Sequence, residues 1–170
     1  MNYSREDLIQ SEATMNQMRN IVYHLARFMD KNGVQDLKEL LRRMGKNIAK
    51  TYVKYWKPTS VVNNSNLKDV ITTIYQKILN SYISIEIDDI DKFIIVKDTK
   101  CALCKYHYED IEIAGCEIIL AMVSEFISLM NSNSKDPFKI YLEPHEVKES
   151  RSYGDSSCIH IYKYKIGGVS

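Results

Sequence analysis

A chain of 170 residues with 23 Lys and Arg against 22 Asp and Glu carries a formal charge of +1, so no net field draws it to nucleic acid or to an anionic membrane. The length suits one domain over residues 1–170, and a hydrophobic content of 45% supplies its core without disulfides. Met1-Asn-Tyr-Ser-Arg-Glu-Asp7 lacks the basic start and apolar stretch of a secretory signal, and the longest apolar run, Ile118 to Val123, is far short of the roughly 18 residues of a membrane span, so a cytoplasmic protein is expected.

Ser4 and Asp7 form a capping-box pattern ahead of Leu8, Met15, Met18, Val22, Leu25 and Met29, which predict an amphipathic helix up to Asn32-Gly33, with a break near Ser11. Residues 1–35 thus form a helical extension. Asp36 is a candidate cap for a second helix striped by Leu37, Leu40, Leu41, Met44, Ile48, Tyr52 and Trp56 and stopped before Pro58. Gly45 inside it costs about 1 kcal/mol of propensity, which suits either a close approach by a helix or ligand or a plain exposed site. Asn66 is a candidate cap for a third helix with the stripe Leu67, Val70, Ile71, Ile74, Ile78 and Leu79.

From Ile83 the period changes to two, with Ile83, Ile85 and Ile87 alternating with polar residues. A turn and the run Phe93–Val96 complete a hairpin. A helix apolar on most faces is predicted from about Ile113 to Asn131, and strands follow at Phe138–Leu142 and Cys158–Ile166. On the last strand Cys158, His160, Tyr162 and Tyr164 share one face. Three helices, two strands, a long helix and two strands make an α+β chain, with the N-terminal helices and the long central helix packed on a four-stranded antiparallel sheet.

Three of the four cysteines lie just before and at the start of that long helix: Cys101-Ala-Leu-Cys104 and Cys116. A Cys-x-x-Cys knuckle can aim two thiolates at one metal, and Cys116 and Cys158 would complete a structural zinc site. His107, His160 and Glu149 are alternative ligands, and four packed free thiols are the other reading. A reducing compartment disfavours disulfides. Tyr52, Trp56, Tyr106 and Tyr162 head a group of aromatic residues suited to an apolar or aromatic ligand, although any one of them alone reads as a core-edge side chain. No Gly-rich phosphate loop, His-Glu-x-x-His pair or serine elbow occurs, which points to binding rather than catalysis. The Met-rich first helix, with more apolar surface than a small sheet can cover, suggests a homodimer.

The element order, the segment Leu40-Leu41-Arg-Arg-Met44-Gly45-Lys-Asn-Ile48, Cys101-x-x-Cys104 leading to Cys116, and Gly154-Asp155-Ser-Ser-Cys158-Ile-His160 resemble the 4-vinyl reductase domain over about residues 36–166. That fold is shared with subunits of the Golgi vesicle-tethering complex and resembles haem nitric oxide sensors. The resemblance implies a small-molecule-binding module, a sensor or carrier, with a structural zinc held by cysteines and a glutamate. It also implies, as alternatives, a reductase-like accessory acting on a vinyl-bearing tetrapyrrole, or an assembly subunit. Cys116 matches the family's cysteine at the start of the long helix, and Cys158 the one after Gly-Asp. Where the family has an acidic residue followed by a further cysteine, this chain has Glu149-Ser150, so Cys101, Cys104 or a histidine would have to stand in.

Overall fold

The computed structural model describes residues 4–110, 113 and 115–167; the signal-free reading of Met1–Tyr3 therefore lies outside the described residues. Helix α1 (Arg5–Lys31) opens on the expected capping box: the Ser4 hydroxyl accepts from the Asp7 amide and the Asp7 carboxylate accepts from the Ser4 amide. It runs unbroken through Ser11. Only part of the expected stripe is covered, since Val22 is buried with Arg19, Tyr23 and Ala26, while Leu8, Met18 and Leu25 are exposed.

Helix α2 (Leu37–Tyr52) buries Leu37, Leu41, Gly45 and Ala49. Asp36 precedes it in the left-handed region, φ 61°, and its side chain makes no cap bond, contrary to the expected capping role. Trp56 lies past the helix end and packs on Phe126, ring centroids 5.8 Å apart. Helix α3 (Leu67–Ile78) follows Asn66, whose amide turns back to bond Asn63 and Val61 instead of capping.

Strands β1 (Ile83–Asp88) and β2 (Phe93–Asp98) form the expected hairpin, and β3 (Ile140–Glu149) and β4 (Cys158–Ile166) form a second, joined by the 3-10 turn Arg151–Tyr153. The sheet order is β1-β2-β4-β3, with every pairing antiparallel. Pro144 sits on the edge strand β3, the place where a missing amide hydrogen costs no ladder bond. The expected α+β class is the observed one.

Helix α4 (Cys116–Asn131) is buried along most of its length and packs against α2 as well as β3 and β4. The expected start near Ile113 borders Ala114, which lies outside the described residues; the helix itself begins at Cys116. Its contact with α2 depends on Gly45, where an added Cβ would stand 2.1 Å from the Ile118 carbonyl oxygen and 2.9 Å from the Met122 nitrogen. Beside that crossing, Glu117 pairs with Arg42 at 2.7 Å, and the same guanidinium donates to the carbonyls of Pro144 and His145, so one buried ion pair ties α2, α4 and β3. At the far end, Asn131 bonds both backbone groups of Val62 and the carbonyl of Ile140.

Candidate metal centre and adjoining cavity

The β4 alternation turns Cys158 and His160 inward, and their cross-strand partners Asp98 and Val96 share that face. The first residue of α4 brings Cys116 over them, and the loop after β2 lays Cys101 and Cys104 alongside. All four thiols are free and buried. The sulfurs of Cys101, Cys116 and Cys158 and a ring nitrogen of His160 all lie within 4.8 Å of one another. Cys104 Sγ is 2.8 Å from Cys116 Sγ, and Cys101 Sγ is 3.6 Å from it. Four sulfurs and one nitrogen thus converge, one donor more than a closed tetrahedral site uses.

Ser150 fills the position where the resemblance calls for a further thiolate. Its hydroxyl stands 3.7 Å from Cys116 Sγ and 3.8 Å from Cys158 Sγ. The Arg151 amide donates to Cys158 Sγ at 3.4 Å. Glu149, paired across the ladder with Ile159, is on the opposite face from His160 and accepts from Ser157. His107 is exposed, with its ring against Gly154. Neither belongs to the cluster.

His160 is the informative donor. Its Nδ1 meets the Tyr75 hydroxyl at 2.7 Å, that hydroxyl meets Tyr162 at 2.7 Å, and the buried Nε2 has no hydrogen-bond partner among the described residues. Burial holds the imidazole down to about pKa 4, so the ring is neutral, the form that ligates metal. An Nδ1 proton donated to Tyr75 would leave the Nε2 lone pair free, the arrangement typical of a metal-bound histidine whose other ring nitrogen donates a hydrogen bond. Among the sulfurs, burial pushes Cys104 up, but bonds from Cys101, Cys116, Cys158 and Ser150 outweigh it and hold the thiol well below its ordinary value. Cys101 and Cys116 are raised correspondingly, the first mainly by its bond to Cys104 and the second mainly by burial. Tyr23, which meets Cys104 at 3.3 Å, is also raised, by burial and then by that sulfur. The buried set fits a thiophilic cation: a neutral imidazole, three converging sulfurs, and a sulfur separation of 3.6 Å close to the roughly 3.8 Å that Zn–S bonds of about 2.3 Å imply.

Next to the cluster, and sharing Cys101, is a cavity of about 580 Å³ between α1, α2, α4 and the Lys100–Lys105 loop. Of the four aromatic residues expected to line a pocket, Tyr52 does so. Trp56 packs on the core, Tyr106 bonds Asn16 at 3.2 Å, and Tyr162 is buried beside Tyr75. Tyr23, Tyr75 and the cavity cations Arg19, Lys100, Lys105 and Arg151 are not marked by any motif in the sequence. Two signals are present in the sequence: the inward phase of β4 at His160, and the resemblance at Ser150.

No protein-family model matches the chain, and no curated protein matches it. Among solved structures, subunit 3 of the trafficking protein particle complex from Naegleria fowleri, covalently bound to palmitic acid, is similar. The TM-score is 0.66 at 12% identity, over 94% of this chain and 99% of that one. The two share a fold. The likeness to the 4-vinyl reductase domain rests on the motifs given above. No helix among the described residues is long and apolar enough to cross a membrane.

Proposed function

We propose that this chain is a non-catalytic assembly subunit that pairs with a second copy through α1 and whose interior is pinned by a zinc ion. The observation that carries the reading is an apolar seam on α1 that the rest of the chain leaves in solvent: Met18 is 50% exposed, Ile21 58%, Leu25 42% and Phe28 65%. The residues recur at intervals of three, four and three, the spacing by which one helix presents a continuous strip to another. A strip of this kind on a lone chain marks an interaction site. The shared fold with a subunit of a trafficking complex supports the same reading.

Zinc would be held by Cys101, Cys116, Cys158 and His160, with Cys104 as an adjacent sulfur. Bound there, it would neutralise the thiolates and cross-link β4, α4 and the loop after β2, a contribution to folding rather than to turnover. Thiols kept free for that purpose suit the reducing cytoplasm, including its Golgi face. Sedimentation velocity at micromolar concentration tests the assembly role: a mass of two chains of 19.8 kDa is expected, and a single chain at every concentration would overturn it.

A further inference from the structure

Five polar side chains of α1 end on one short segment of the body, residues 102–110. Glu12 pairs with Lys105, and Asn16 accepts from the Tyr106 hydroxyl at 3.2 Å. Arg19 Nε donates to the Ala102 carbonyl at 2.6 Å, the Tyr23 hydroxyl meets Cys104 Sγ at 3.3 Å, and Arg27 pairs with Asp110 at 2.7 Å. These residues recur at intervals of four, three, four and four, so they share one face of the helix. At about 100° per residue, that face is turned roughly 180° from the exposed seam of Met18, Ile21, Leu25 and Phe28. The apolar part of the docking is small, with Val22 packed on Leu41 and Ile118.

The segment that receives α1 has little order of its own. Residues 101–110 contain neither helix nor strand, and among the described residues their one backbone–backbone bond runs from the Tyr108 amide to the Ser152 carbonyl. The cysteine cluster holds the segment instead. Cys101 opens it and Cys104 lies within it, their sulfurs 3.6 Å and 2.8 Å from Cys116 Sγ. Tyr23 joins helix to cluster most directly: its hydroxyl stands between Cys104 and the Gly115 amide, from which it accepts, and its ring stacks on Tyr108 with centroids 4.1 Å apart. A structural metal contributes its binding free energy to whatever its ligands order, here first the segment and through it α1. A helix in a protein owes most of its stability to the face it packs, so α1 loses its support when the segment loosens.

We propose that the metal centre is a latch for α1 and makes the chain responsive to zinc: loading Cys101, Cys116, Cys158 and His160 docks the helix, and loss of the metal releases it. The inference rests on the zinc of the proposed function. The seam is then held as a rigid strip only on the loaded chain, so pairing through it follows metal supply. The coupling is reciprocal, and weakening the docked face lowers the affinity for zinc by the factor through which zinc strengthens docking.

The test uses the full chain, zinc alone as the probe, and amide hydrogen exchange read by mass spectrometry before and after a chelator removes the metal under a thiol reductant. Peptides covering residues 12–27 and 101–110 should exchange about tenfold or more faster without zinc, while α3 and the β1–β2 hairpin change little. Arg19→Met with Arg27→Met removes two docking contacts and no metal donor. Its zinc affinity, measured by competition with a chromophoric chelator, should fall about tenfold. If that variant does not fold, Lys105→Gln with Tyr106→Phe, both at exposed positions, replaces it. Zinc bound at one per chain with unchanged exchange in α1, or wild-type zinc affinity in the docking variant, would overturn the latch and leave the metal reading standing. Failure of zinc to bind would sink that reading and the latch together. Uniform loss of protection over the whole chain would make the metal a general staple and overturn the latch. So would a zinc effect on α1 that vanishes in Ile21→Glu, since pairing rather than docking would then carry it.

Discussion

At His160 an ordinary strand residue becomes the most constrained side chain of the cluster, because its two ring nitrogens face different surroundings. Nδ1 is engaged by Tyr75 and Nε2 has no hydrogen-bond partner among the described residues, so replacing the ring by Ala should release the proposed zinc. Cys158→Ser should do the same by deleting the only thiolate on the final strand. Cys104→Ser should leave zinc in place, since Cys101, Cys116 and Cys158 remain. Metal content of the purified variants checks this, and the visible bands of the cobalt-substituted protein report three sulfurs and one nitrogen as distinct from four sulfurs. Zinc lost from Cys104→Ser and kept in His160→Ala would reverse the donor assignment. In protein freed of metal, His160 also predicts a pH dependence. The unfolded ring takes a proton below its ordinary pKa of 6.5 while the folded ring stays neutral to about 4, so stability falls as pH is lowered through that window, by roughly 3 kcal/mol at most. Asp98 opposes this, because burial raises its carboxyl pKa and its contribution is instead lost as pH rises. Urea unfolding of wild type and His160→Gln at about pH 7 and about pH 4.5 isolates the histidine, and parallel losses in both proteins would contradict the assignment. The cysteines were readable in the chain because a knuckle is a local pattern. Ser150 was marked only by standing where the resemblance has a cysteine, and Tyr75 was not readable at all, because a tyrosine 85 residues from its partner His160 carries no local sign of meeting an imidazole.

Gly45 decides how α2 and α4 cross, and two effects on its substitution have opposite signs. Alanine improves helix propensity by about 1 kcal/mol, yet its Cβ would meet backbone atoms of Ile118 and Met122, which cannot rotate away as a side-chain tip could. Separating the helices would loosen the Cys116 end of α4 and the Arg42–Glu117 pair, so steric cost wins. Gly45→Ala is expected to lower the thermal midpoint, and Gly45→Leu to cost about 3 kcal/mol or more, at or above the usual range for overpacking. A Gly45→Ala variant more stable than wild type would show that the helices separate freely. Element types and order were readable because each period persists over many residues, 3.6 in the helices and two in the strands. Caps were less so: Ser4 engages its box, whereas Asp36 and Asn66 turn their side chains elsewhere, a choice made by the preceding loop rather than by the helix. The stripe of α1 misled for a different reason. Periodicity marks where apolar side chains point but not what covers them, and the core takes Val22, Tyr23 and Ala26 and leaves Met18 and Leu25 outside.

For the molecule as a whole, what is uncovered on α1 determines whether stability depends on concentration. A folded monomer with a near-neutral surface unfolds at the same temperature at any dilution, whereas a chain stabilised by pairing gains from mass action. A helix of 27 residues is about 40 Å long, enough for two copies to bury Met18, Ile21, Leu25 and Phe28 against each other along a shared seam. None of these four side chains is buried in the core, and none lines the cavity or belongs to the metal cluster, so changing them tests pairing alone. The expected outcome is a thermal midpoint that rises with wild-type concentration across the micromolar range. In Ile21→Glu with Phe28→Glu the midpoint should be flat, because four carboxylates would face one another at the seam of a pair. The variant should sediment as one chain and keep its helix content and zinc, since its own core is untouched. Each exposed substitution on an unpaired helix should shift stability by no more than about 0.5 kcal/mol, so any larger, concentration-dependent difference measures the contact between copies. If the double variant and wild type share one concentration-independent midpoint, α1 does not join two copies, and its seam must meet a different protein.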